Sequence, residues 1–314
     1  MTKVYRDVAG PCLAPAGSVV AVGAFDGLHL GHQALLAQVR SRAQMLGAAP
    51  VAISFEPLPR AFFSPEPLPR LASVREKIQG LAHAGLERVL LLRFNRALTA
   101  MSAEDFVRQV LVERMAVREV WVGEDFRFGH KRAGDFALLE RMGQELGFAA
   151  CAMDAVAAAG QRVSSSAIRE RLVSSDFDGA AELLGRDFSM SGRVVRGEQL
   201  GRTLGYPTAN VRLGRRVSPV QGIFAVRVDI DGGRQQLPGV ASLGWRPTVN
   251  AVSEPLLESH LFDFDGNLYG RHIRVRFVEK LRDELKFDGL DALKAQMDID
   301  AQQARQALDE AVSG

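Results

Sequence analysis

Cysteine is nearly absent from this sequence, which has only Cys12 and Cys151 in 314 residues. The two stand far apart and lack the spacing of metal ligands, which argues against a disulfide framework and against a structural zinc site. We interpret both as buried or idle thiols.

Long apolar runs and an excess of one charge are missing as well. No run approaches the roughly 18 residues that a membrane-spanning helix requires, and the N-terminus has no basic segment followed by an apolar core. The 39 basic and 37 acidic residues leave a formal net charge of +2, which argues against binding to nucleic acid through overall charge. We therefore expect a cytoplasmic protein with neither a membrane nor a nucleic-acid partner.

What is present is an ordinary globular composition, 47% hydrophobic and 24% charged, in a chain long enough for two domains. In the first half, β-branched runs alternate with helical patterns, which is typical of a parallel sheet with crossover helices. The runs predict strands at Ser18 to Phe25, Val51 to Phe55, Arg88 to Phe94 and Glu119 to Gly123. The helical patterns predict helices at His32 to Leu46, Ser102 to Met115 and Gly134 to Leu146.

A short repeat follows the second predicted strand. The pentapeptide Glu-Pro-Leu-Pro-Arg occurs at Glu56 to Arg60 and again at Glu66 to Arg70. Its prolines predict a stiff surface loop. In an alternative that stays open, this loop covers a substrate at the carboxyl ends of the strands, where open α/β sheets bind ligands.

The pattern changes after about Gly185. Phe224 to Ile230 and Ile273 to Phe277 alternate apolar with polar residues, and Asp231-Gly232-Gly233 is typical of a hairpin turn. Short strands with turn signals predict a small antiparallel barrel. Gly289 to Val312 returns to helical spacing, and we expect it to pack against the barrel.

The predicted fold class is therefore α/β plus all-β. Residues 1–186 form a domain with a Rossmann-like parallel sheet. Residues 187–314 form a second domain, a small antiparallel β-barrel with C-terminal helices.

The most informative stretch is Gly23 to His32, which reads Gly-Ala-Phe-Asp-Gly-Leu-His-Leu-Gly-His. It ends the first strand, turns through glycines and enters the first helix, and such a helix N-terminus attracts anions. His29 and His32 can both donate hydrogen bonds to a phosphate there. The spacing alone fits two histidines without a function equally well, but the setting between strand and helix favours phosphate.

A second stretch, Ser164-Ser165-Ser166-Ala167-Ile168-Arg169, precedes another helical pattern. Hydroxyl and N–H groups at a helix start suit phosphate, and an arginine one turn later can clamp it. Taken alone, the stretch is better explained as a serine-rich helix cap.

Together these stretches resemble the nucleotidylyltransferase superfamily, whose members carry a His-x-Gly-His site and a later Ser/Thr-x-x-x-Arg segment. Phe25-Asp26-Gly27, Phe55-Glu56-Pro57 and the segment from Gly123 to Gly129 extend the resemblance to the FMN adenylyltransferase domain of bacterial bifunctional FAD synthetases. Ser166 stands where many relatives have threonine, and it keeps the hydroxyl group.

The resemblance implies that a phosphate oxygen of FMN attacks the α-phosphorus of ATP and that pyrophosphate leaves. Such a reaction needs alignment and charge neutralisation more than a covalent intermediate. It makes His29 and His32 the catalytic residues, which stabilise the triphosphate. The remaining residues that it implies are Gly23, Phe25, Gly31, Ser164, Ser165, Ser166 and Arg169 for ATP and its phosphates, and Asp125, Phe126, Arg127 and Phe128 for the flavin pocket.

The segment from Gly192 to Asn210 is dense in glycine and arginine and ends in Pro-Thr-Ala-Asn. A basic glycine-rich loop can surround phosphate, although a flexible solvated loop has the same composition. It is not a Walker A loop, because the chain contains no Gly-x-x-x-x-Gly-Lys-Ser/Thr.

The motifs around this loop resemble riboflavin kinase, and with the first half the resemblance covers nearly the whole chain. They are Pro207-Thr208-Ala209-Asn210, Gly244-Trp245-Arg246-Pro247-Thr248, Glu258 with His260, and Leu281-Arg282-Asp283-Glu284 followed by Phe287. The resemblance implies that the barrel binds riboflavin. Glu258 becomes the general base, which takes the proton of the ribityl hydroxyl as this group attacks the γ-phosphorus of ATP.

The resemblance also implies Mg²⁺ as the cofactor. Thr208 and Asn210 would hold the metal and the ATP phosphates, together with Gly201 and Arg202 of the glycine-rich loop. The partners are then riboflavin, FMN and ATP. Two further residues, Arg282 and Phe287, either shape the flavin pocket or fix the terminal helix.

Two other interpretations stay open. The first domain could adenylylate another small phosphate while the barrel serves as a ligand sensor, or the barrel could be a flavin- or RNA-binding module. The arginines that favour RNA are Arg193, Arg196, Arg202, Arg212, Arg215 and Arg216. Only Tyr206 accompanies them as a stacking ring, whereas single-stranded nucleic acid is bound on several aromatics. A monomer and a weak homo-oligomer are both open.

Overall fold

The structure of the protein is a computed structural model that describes residues 2–197, 200–214, 217–233, 235–246 and 254–313. The predicted motif residues Pro247 and Thr248, and also Arg215 and Arg216, lie outside the described residues. The chain divides into two units, which are described separately: unit 1 is Met1–Leu68 with Ala72–Ser165, and unit 2 is Pro69–Leu71 with Ser166–Gly314.

A six-stranded parallel sheet forms the centre of unit 1. Its strands are β1 (Lys3–Tyr5), β2 (Ser18–Val22), β3 (Ala49–Glu56), β4 (Arg88–Arg93), β5 (Val117–Gly123) and β6 (Ala149–Met153), in the order β1-β4-β3-β2-β5-β6. Strand β2 is buried along its whole length. Val20 belongs to one apolar cluster and its neighbour Val19 to another. Since alternate side chains of a strand point to opposite faces, the sheet is covered on both, as its apolar runs predict.

The three helices predicted for unit 1 are present, whereas those at Val74–His83 and Arg96–Ala100 were not predicted. The helices are α1 (Leu30–Met45), α2 (Pro59–Phe63), α3 (Val74–His83), α4 (Arg96–Ala100), α5 (Ala103–Asp105) and α6 (Phe136–Leu146), with a π-helix at Phe106–Arg114, a 3₁₀ turn at His130–Arg132, and the hairpin β7 (Ala157–Ala158) and β8 (Gln161–Arg162). The predicted apolar stripe of α1 is confirmed, because Leu35, Leu36, Val39 and Ala43 are all buried. The predicted cap is confirmed too, since the Ser102 hydroxyl accepts the N–H of Asp105 at 2.9 Å.

Three predicted elements of unit 1 differ in detail. The first strand ends at Val22 rather than at Phe25, because Phe25 turns the chain with φ of +50°. The helix that begins after Ser102 continues in π-helical form from Phe106 to Arg114. Part of the predicted proline-rich loop is helical in α2, whose first turn contains Pro59 at a position that tolerates proline.

Unit 2 contains a closed antiparallel barrel, as the sequence predicts. Its elements are α7 (Ser165–Val173, whose first residue belongs to unit 1), α8 (Phe177–Leu184), β9 (Ser189–Val195), α9 (Leu200–Thr203), β10 (Ala209–Arg212), β11 (Gly222–Ile230), β12 (Leu237–Arg246), β13 (Glu254–Leu261), β14 (His272–Arg282) and α10 (Leu290–Ser313). The barrel closes in the order β10-β13-β12-β11-β14-β9. The ring of Phe177 in α8 packs against Phe224 and Phe277 of the barrel.

The C-terminal segment packs on the barrel, as predicted. Where the sequence predicts C-terminal helices, the described residues after β14 form one long helix, α10. Its Ala304, Ala307 and Leu308 form a buried apolar cluster with Ala225 and Phe262 of the barrel. In the described part of the chain, no helix combines the length and the apolar character that crossing a membrane requires.

Candidate active sites

The first candidate site is the segment Gly23–His32, which we call the histidine turn. It leaves the carboxyl end of β2 and enters α1. The ring of Phe25 is fully buried, and it lies so close to Gly23 that a Cβ atom at residue 23 would be 3.0 Å from it. Gly27 has φ of +80°, which favours glycine. The fold alone is therefore a sufficient reason for glycine at residues 23 and 27, whether or not a ligand binds there.

His29 caps the N-terminus of α1. Its ring is buried, with 7% exposed, and its Nδ1 atom accepts the backbone N–H of His32 at 3.3 Å. In the neutral ring the proton is therefore on Nε2. A Cβ atom at Gly31 would lie 3.3 Å from the Nδ1 atom of His29, so a larger residue would crowd this ring. The predicted residues His29 and Gly31 thus lie together at a helix N-terminus.

His32 stacks on His29, with 3.6 Å between the ring centroids and 19° between the planes. Its other neighbour is Phe25, whose ring meets it edge-on at 5.1 Å. Burial, followed by the charges of His29 and Lys77, lowers the pKa of His32 well below its ordinary value of 6.5. Its Nδ1 atom is buried and has no hydrogen-bond partner among the described residues. At neutral pH this ring is therefore uncharged, so it can offer a ligand a hydrogen bond but no positive charge.

The sequence analysis missed Lys77 of α3, although this residue lies beside the histidine turn. Its side chain is fully buried, and its ammonium group donates to the hydroxyl of Ser54 at 3.3 Å and to the carbonyl oxygen of Phe55 at 3.1 Å. The carboxylate of Glu56 is 3.8 Å away. The sequence offers one indication of this position: Lys77 stands four residues before Leu81, a spacing that places both residues on one face of a helix. In the structure that face is buried.

The predicted serine-rich segment begins α7. The hydroxyl of Ser165 donates to the carbonyl oxygen of Asp26 at 2.9 Å, which places Ser165, next to Ser164, against the histidine turn. Ser166 and Arg169 follow in α7, where the guanidinium of Arg169 donates to the carbonyl oxygen of Pro69 at 2.6 Å. Their assignment to ATP phosphates stays a prediction.

The predicted flavin residues of unit 1 follow β5. The exposed carboxylate of Asp125 forms an ion pair with Arg162, and Arg127 donates to Asp135 at 2.9 Å. The carboxylate of Asp135 also caps α6, where the N–H of Leu138 and the charge of Arg127 lower its pKa. Both charged residues of the segment are therefore held by partners in unit 1.

The two aromatic residues of that segment differ in their surroundings. The rings of Phe126 and Phe128 stack at 5.4 Å, but Phe128 is only 6% exposed and packs against Phe106 in the core. Phe126 is half-buried. Of the two rings, Phe126 is the one with surface left for a ligand, and a flavin contact by either stays a prediction.

The second candidate site lies in the barrel, where two cavities share Thr208. We call them the Glu258 cavity, of about 300 Å³, and the Asn210 cavity, of about 480 Å³. The predicted residues lining the Glu258 cavity are Gly201, Thr208, Glu258, Arg282 and Phe287, and those lining the Asn210 cavity are Arg202, Thr208 and Asn210. The structure therefore brings together all the residues that the sequence predicts for the barrel site.

Asn210 lines the Asn210 cavity, and its side chain contacts Thr208. Its amide nitrogen is 3.3 Å from the carbonyl oxygen and 3.4 Å from the hydroxyl of Thr208, and across the ladder of β10 and β13 it pairs with Glu258. Its Oδ1 atom is buried without a hydrogen-bond partner in the part of the chain that the structure describes. A buried oxygen without a partner suits a hard cation, so these residues fit Mg²⁺.

Ser259 is a further residue of this cavity that the sequence analysis missed. It is fully buried on β13, opposite Ala209, and lines the Asn210 cavity. Its hydroxyl, like the Oδ1 atom of Asn210, has no hydrogen-bond partner among the described residues. Nothing in the sequence beyond its place next to Glu258 pointed to it.

The segment before Thr208 is fixed by four close contacts. The N–H of Tyr206 donates to the carbonyl oxygen of Gly201 at 2.7 Å, and the carbonyl oxygen of Tyr206 occupies the place where a Cβ atom at Gly201 would be. The imidazole Nδ1 atom of His260 lies 2.9 Å from the carbonyl oxygen of Pro207. The Tyr206 hydroxyl donates to Asp298 of α10 at 2.5 Å, and burial together with this carboxylate raises its pKa to about 12. These contacts define the position of Thr208.

Arg282 both lines the Glu258 cavity and fixes the terminal helix. Its guanidinium donates to both carboxylate oxygens of Asp300 in α10, at 2.8 Å and 2.6 Å, and lies 5.9 Å from the ring centroid of Phe287. The sequence left open whether Arg282 lines a pocket or fixes the terminal helix, and in the structure it does both.

The two sites define the class of the protein. A helix N-terminus at the end of a parallel strand suits phosphate groups, and a barrel with two cavities that share Thr208 suits small-molecule substrates, which fits a transferase that handles phosphate groups. Comparisons with known proteins agree: the family model of FAD synthetase matches residues 13–167, and that of riboflavin kinase matches residues 184–308.

Relatives match along nearly the whole chain. The bifunctional riboflavin kinase/FMN adenylyltransferase of Pseudomonas fluorescens is 46% identical over 92% of each chain, and that of Escherichia coli K12 is 43% identical over 97% of each. A crystal structure described as a macrolide-efflux protein from Streptococcus pneumoniae has a TM-score of 0.78 and 28% identity, over 96% of this chain and 98% of that one. The chain belongs to the family of bifunctional riboflavin kinase/FMN adenylyltransferases. It carries both domains, the FMN adenylyltransferase first, and the predicted resemblance is confirmed.

Proposed function

We propose that the barrel transfers the γ-phosphoryl group of ATP to riboflavin, and that the histidine turn serves transfer of an adenylyl group from a second ATP to the FMN so formed. The first transfer releases ADP, and the second yields FAD and pyrophosphate. We place the domain boundary between residues 186 and 187, just ahead of β9, and the start of the riboflavin kinase match at residue 184 supports this position. The compact unit that contains the barrel begins earlier, at Ser166, because it includes the helices α7 and α8.

The observation that carries the proposal is that Thr208 lines both cavities of the barrel. Riboflavin occupies the Glu258 cavity and the ATP phosphates occupy the Asn210 cavity, so the reacting groups meet at Thr208. Both cavities have the volume expected for small-molecule sites, roughly 300 to 1,000 Å³. Glu258 lies on the flavin side, where a general base must be to receive the proton of the ribityl hydroxyl.

Thr208 and Asn210 are the residues that would hold Mg²⁺. Among the described residues no group of three or more His, Cys, Asp and Glu side chains could hold a metal ion, so most of the ligands would be phosphate oxygens and water. When bound, the ion neutralises charge on the phosphoryl group during transfer. Gly201 and Arg202 form the loop beside these phosphates, and Phe287 and Arg282 line the flavin side.

At the histidine turn, the residues of unit 1 stabilise the triphosphate by hydrogen bonds. The Nε2–H group of His29 donates to a phosphate oxygen, the neutral ring of His32 lies directly behind it, and the N-terminus of α1 adds its dipole. Gly23, Phe25 and Gly31 shape the turn, and Ser164 and Ser165 lie beside it. Ser166 and Arg169 keep their predicted role with the departing phosphates, and Asp125, Phe126, Arg127 and Phe128 keep theirs with the flavin. Because both reactions consume ATP, we also propose a cytoplasmic location.

A time course tests this function. Purified protein is incubated with riboflavin, ATP and Mg²⁺, and the flavins are separated at intervals. We expect FMN to form first and FAD to follow, with chelation of Mg²⁺ by EDTA stopping the first step. A folded protein that forms neither flavin, beside an active control enzyme, contradicts the proposal.

A further inference from the structure

Lys77 has no solvent-exposed surface, yet its ammonium group is surrounded by acceptors from β3. These are the hydroxyl of Ser54, the carbonyl oxygen of Phe55 and, at 3.8 Å, the carboxylate of Glu56. A lysine is rarely retained in a fully buried position unless its charge is paired, and burial of a charge is costly even then. An apolar residue at this position would be the simpler way to fill the space.

A relay of hydrogen bonds runs from Lys77 to the histidine turn. The ammonium group donates to the Ser54 hydroxyl, and this hydroxyl in turn donates to the carbonyl oxygen of Ala24 at 3.1 Å. Ser54 is itself fully buried, so its hydroxyl has no access to bulk water. Lys77 therefore acts on the backbone of the turn through one intermediate side chain.

Helix α3 is fixed against the same turn at two other points. The carboxylate of Asp26, which is 1% exposed, accepts the N–H of Ala72 at 3.2 Å, just before the helix begins. Further along, the side chain of Leu28 fills the space that a Cβ atom at Gly80 would need. These contacts fix the position of the helix that carries Lys77 relative to the histidine turn.

We propose that Lys77 is a positioning residue for adenylyl transfer, whose buried ammonium group holds the histidine turn in place and supplies a fixed positive charge behind His32. This inference rests on the proposed adenylyl transfer at the histidine turn. Lys77 does not touch the nucleotide in this account, because no part of its side chain reaches the surface.

The charges around the histidine rings support this division of roles. His32 is influenced by His29 at the cap of its own helix and by Lys77 from α3, while Glu56 of β3 faces Lys77. The charge of Lys77 helps to keep the ring of His32 neutral, so the imidazole contributes a hydrogen bond while the lysine contributes the charge. Removal of the ammonium group is then expected to raise the pKa of His32.

The test compares Lys77→Met, Lys77→Arg and, as a matched control, Lys3→Met, which removes an exposed lysine of β1 in the same unit. Each full-length protein is assayed for FAD formation from FMN and ATP across a range of pH, and histidine titration is followed by NMR. For Lys77→Met we expect kcat/KM for ATP to fall by about tenfold or more, its acidic limb to move to higher pH, and the His32 signal to titrate at higher pH. Lys77→Arg should recover part of the loss, and Lys3→Met should match the wild type.

Two further measurements separate positioning from misfolding. Riboflavin phosphorylation by the same chain should be unchanged in every variant, and the thermal unfolding of each is recorded. If Lys77→Met does not fold, the double variant Lys77→Met/Glu56→Gln removes both partners of the buried pair. It carries the same expectation for FAD formation, and a smaller shift of the His32 titration because a carboxylate is lost with the ammonium group. Ser54→Ala, which interrupts the relay but keeps the charge, should lower FAD formation without a shift in the His32 titration.

The proposal is overturned if a folded variant without the Lys77 charge forms FAD at the wild-type rate, or if the titration of His32 does not move. Wild-type protein that forms no FAD contradicts the proposed function itself. Wild-type protein that forms FAD, beside an equally active Lys77→Met, contradicts the role of Lys77 alone.

Discussion

Arg282, the last residue of β14, binds both carboxylate oxygens of Asp300 in α10. Asp300 is 3% exposed, and Gln296 donates to the same carboxylate at 2.9 Å. Since Arg282 and Asp300 both line the Glu258 cavity, this ion pair connects one wall of that cavity to the terminal helix.

Replacement of Asp300 by alanine should therefore cost stability and kinase activity together. It leaves the guanidinium of Arg282 without its carboxylate, and we expect the free energy of unfolding to fall by about 2 kcal/mol or more. The KM for riboflavin should rise, while FAD formation from added FMN continues. Urea denaturation and separate assays of the two reactions measure both effects.

The matched control is Asp263→Ala, which removes the exposed partner of Arg305 at another point of contact between α10 and the barrel. An exposed pair of this kind contributes little to stability, because solvent screens the two charges. If Asp263→Ala and Asp300→Ala lowered the free energy of unfolding equally, the buried pair would contribute no more to stability than the exposed one.

Gly201 is expected to be intolerant of a side chain, because a Cβ atom there would meet the carbonyl oxygen of Tyr206. Gly201→Ala should displace the segment that ends at Thr208. We predict a loss of riboflavin phosphorylation of about tenfold or more, with adenylylation of added FMN unchanged.

Gly205→Ala provides the comparison for this glycine. Residue 205 has φ of +88° but no neighbour within 4 Å of a Cβ atom, so alanine strains the backbone without pushing on the site. We expect it to reduce kinase activity less than Gly201→Ala does. A greater loss of kinase activity in Gly205→Ala than in Gly201→Ala would contradict the importance of the close contact between Gly201 and Tyr206.

Glu119 of β5 should give unit 1 part of its dependence on pH. Arg42 of α1 donates from Nε to its carboxylate at 3.0 Å, and Trp121 donates to it at 3.1 Å. The hydrogen bond with Arg42 is the main reason that the pKa of Glu119 lies below its ordinary value of 4.5. The ion pair therefore stabilises the fold fully above pH 4.5, and this contribution is lost as the pH falls through the lower pKa of the folded state.

Glu119→Gln should accordingly lower the thermal midpoint of unit 1 at pH 7 and have a smaller effect near pH 3. The fluorescence of Trp121, which donates to Glu119, reports on this site when it is measured in a Trp245→Phe background, because the chain has two tryptophans. A difference between wild type and variant that stays constant from pH 7 to pH 3 would contradict the assignment.

The architecture was predictable because the periodicity of the apolar residues is determined by backbone geometry. Val19 and Val20 fall on opposite faces of a covered sheet, and Leu35 to Ala43 follow one face of a helix. The exact end of the first strand was not predictable, because the turn at Phe25 has a positive φ that ordinary propensities do not favour.

The motifs also led to the principal residues of both sites, whereas Lys77 and Ser259 escaped detection. Their significance depends on burial and on the position of neighbours far away in the sequence, such as Ser54 for Lys77 and Ala209 for Ser259. A lysine in a helix and a serine in a strand are ordinary residues until the fold shows that water cannot reach them.

The central claim is that two separate sites in one chain perform the two reactions, and a mixture of two variants tests it most directly. Glu258→Gln should leave riboflavin unconverted but turn added FMN into FAD, since it removes only the proposed base of the barrel. His32→Ala should convert riboflavin to FMN and stop there.

Each variant alone, supplied with riboflavin, ATP and Mg²⁺, is therefore expected to form no FAD, and an equimolar mixture of the two is expected to form it through released FMN. Formation of FAD by either variant alone from riboflavin, or a mixture of folded variants that forms none while each retains its remaining reaction, would contradict the account.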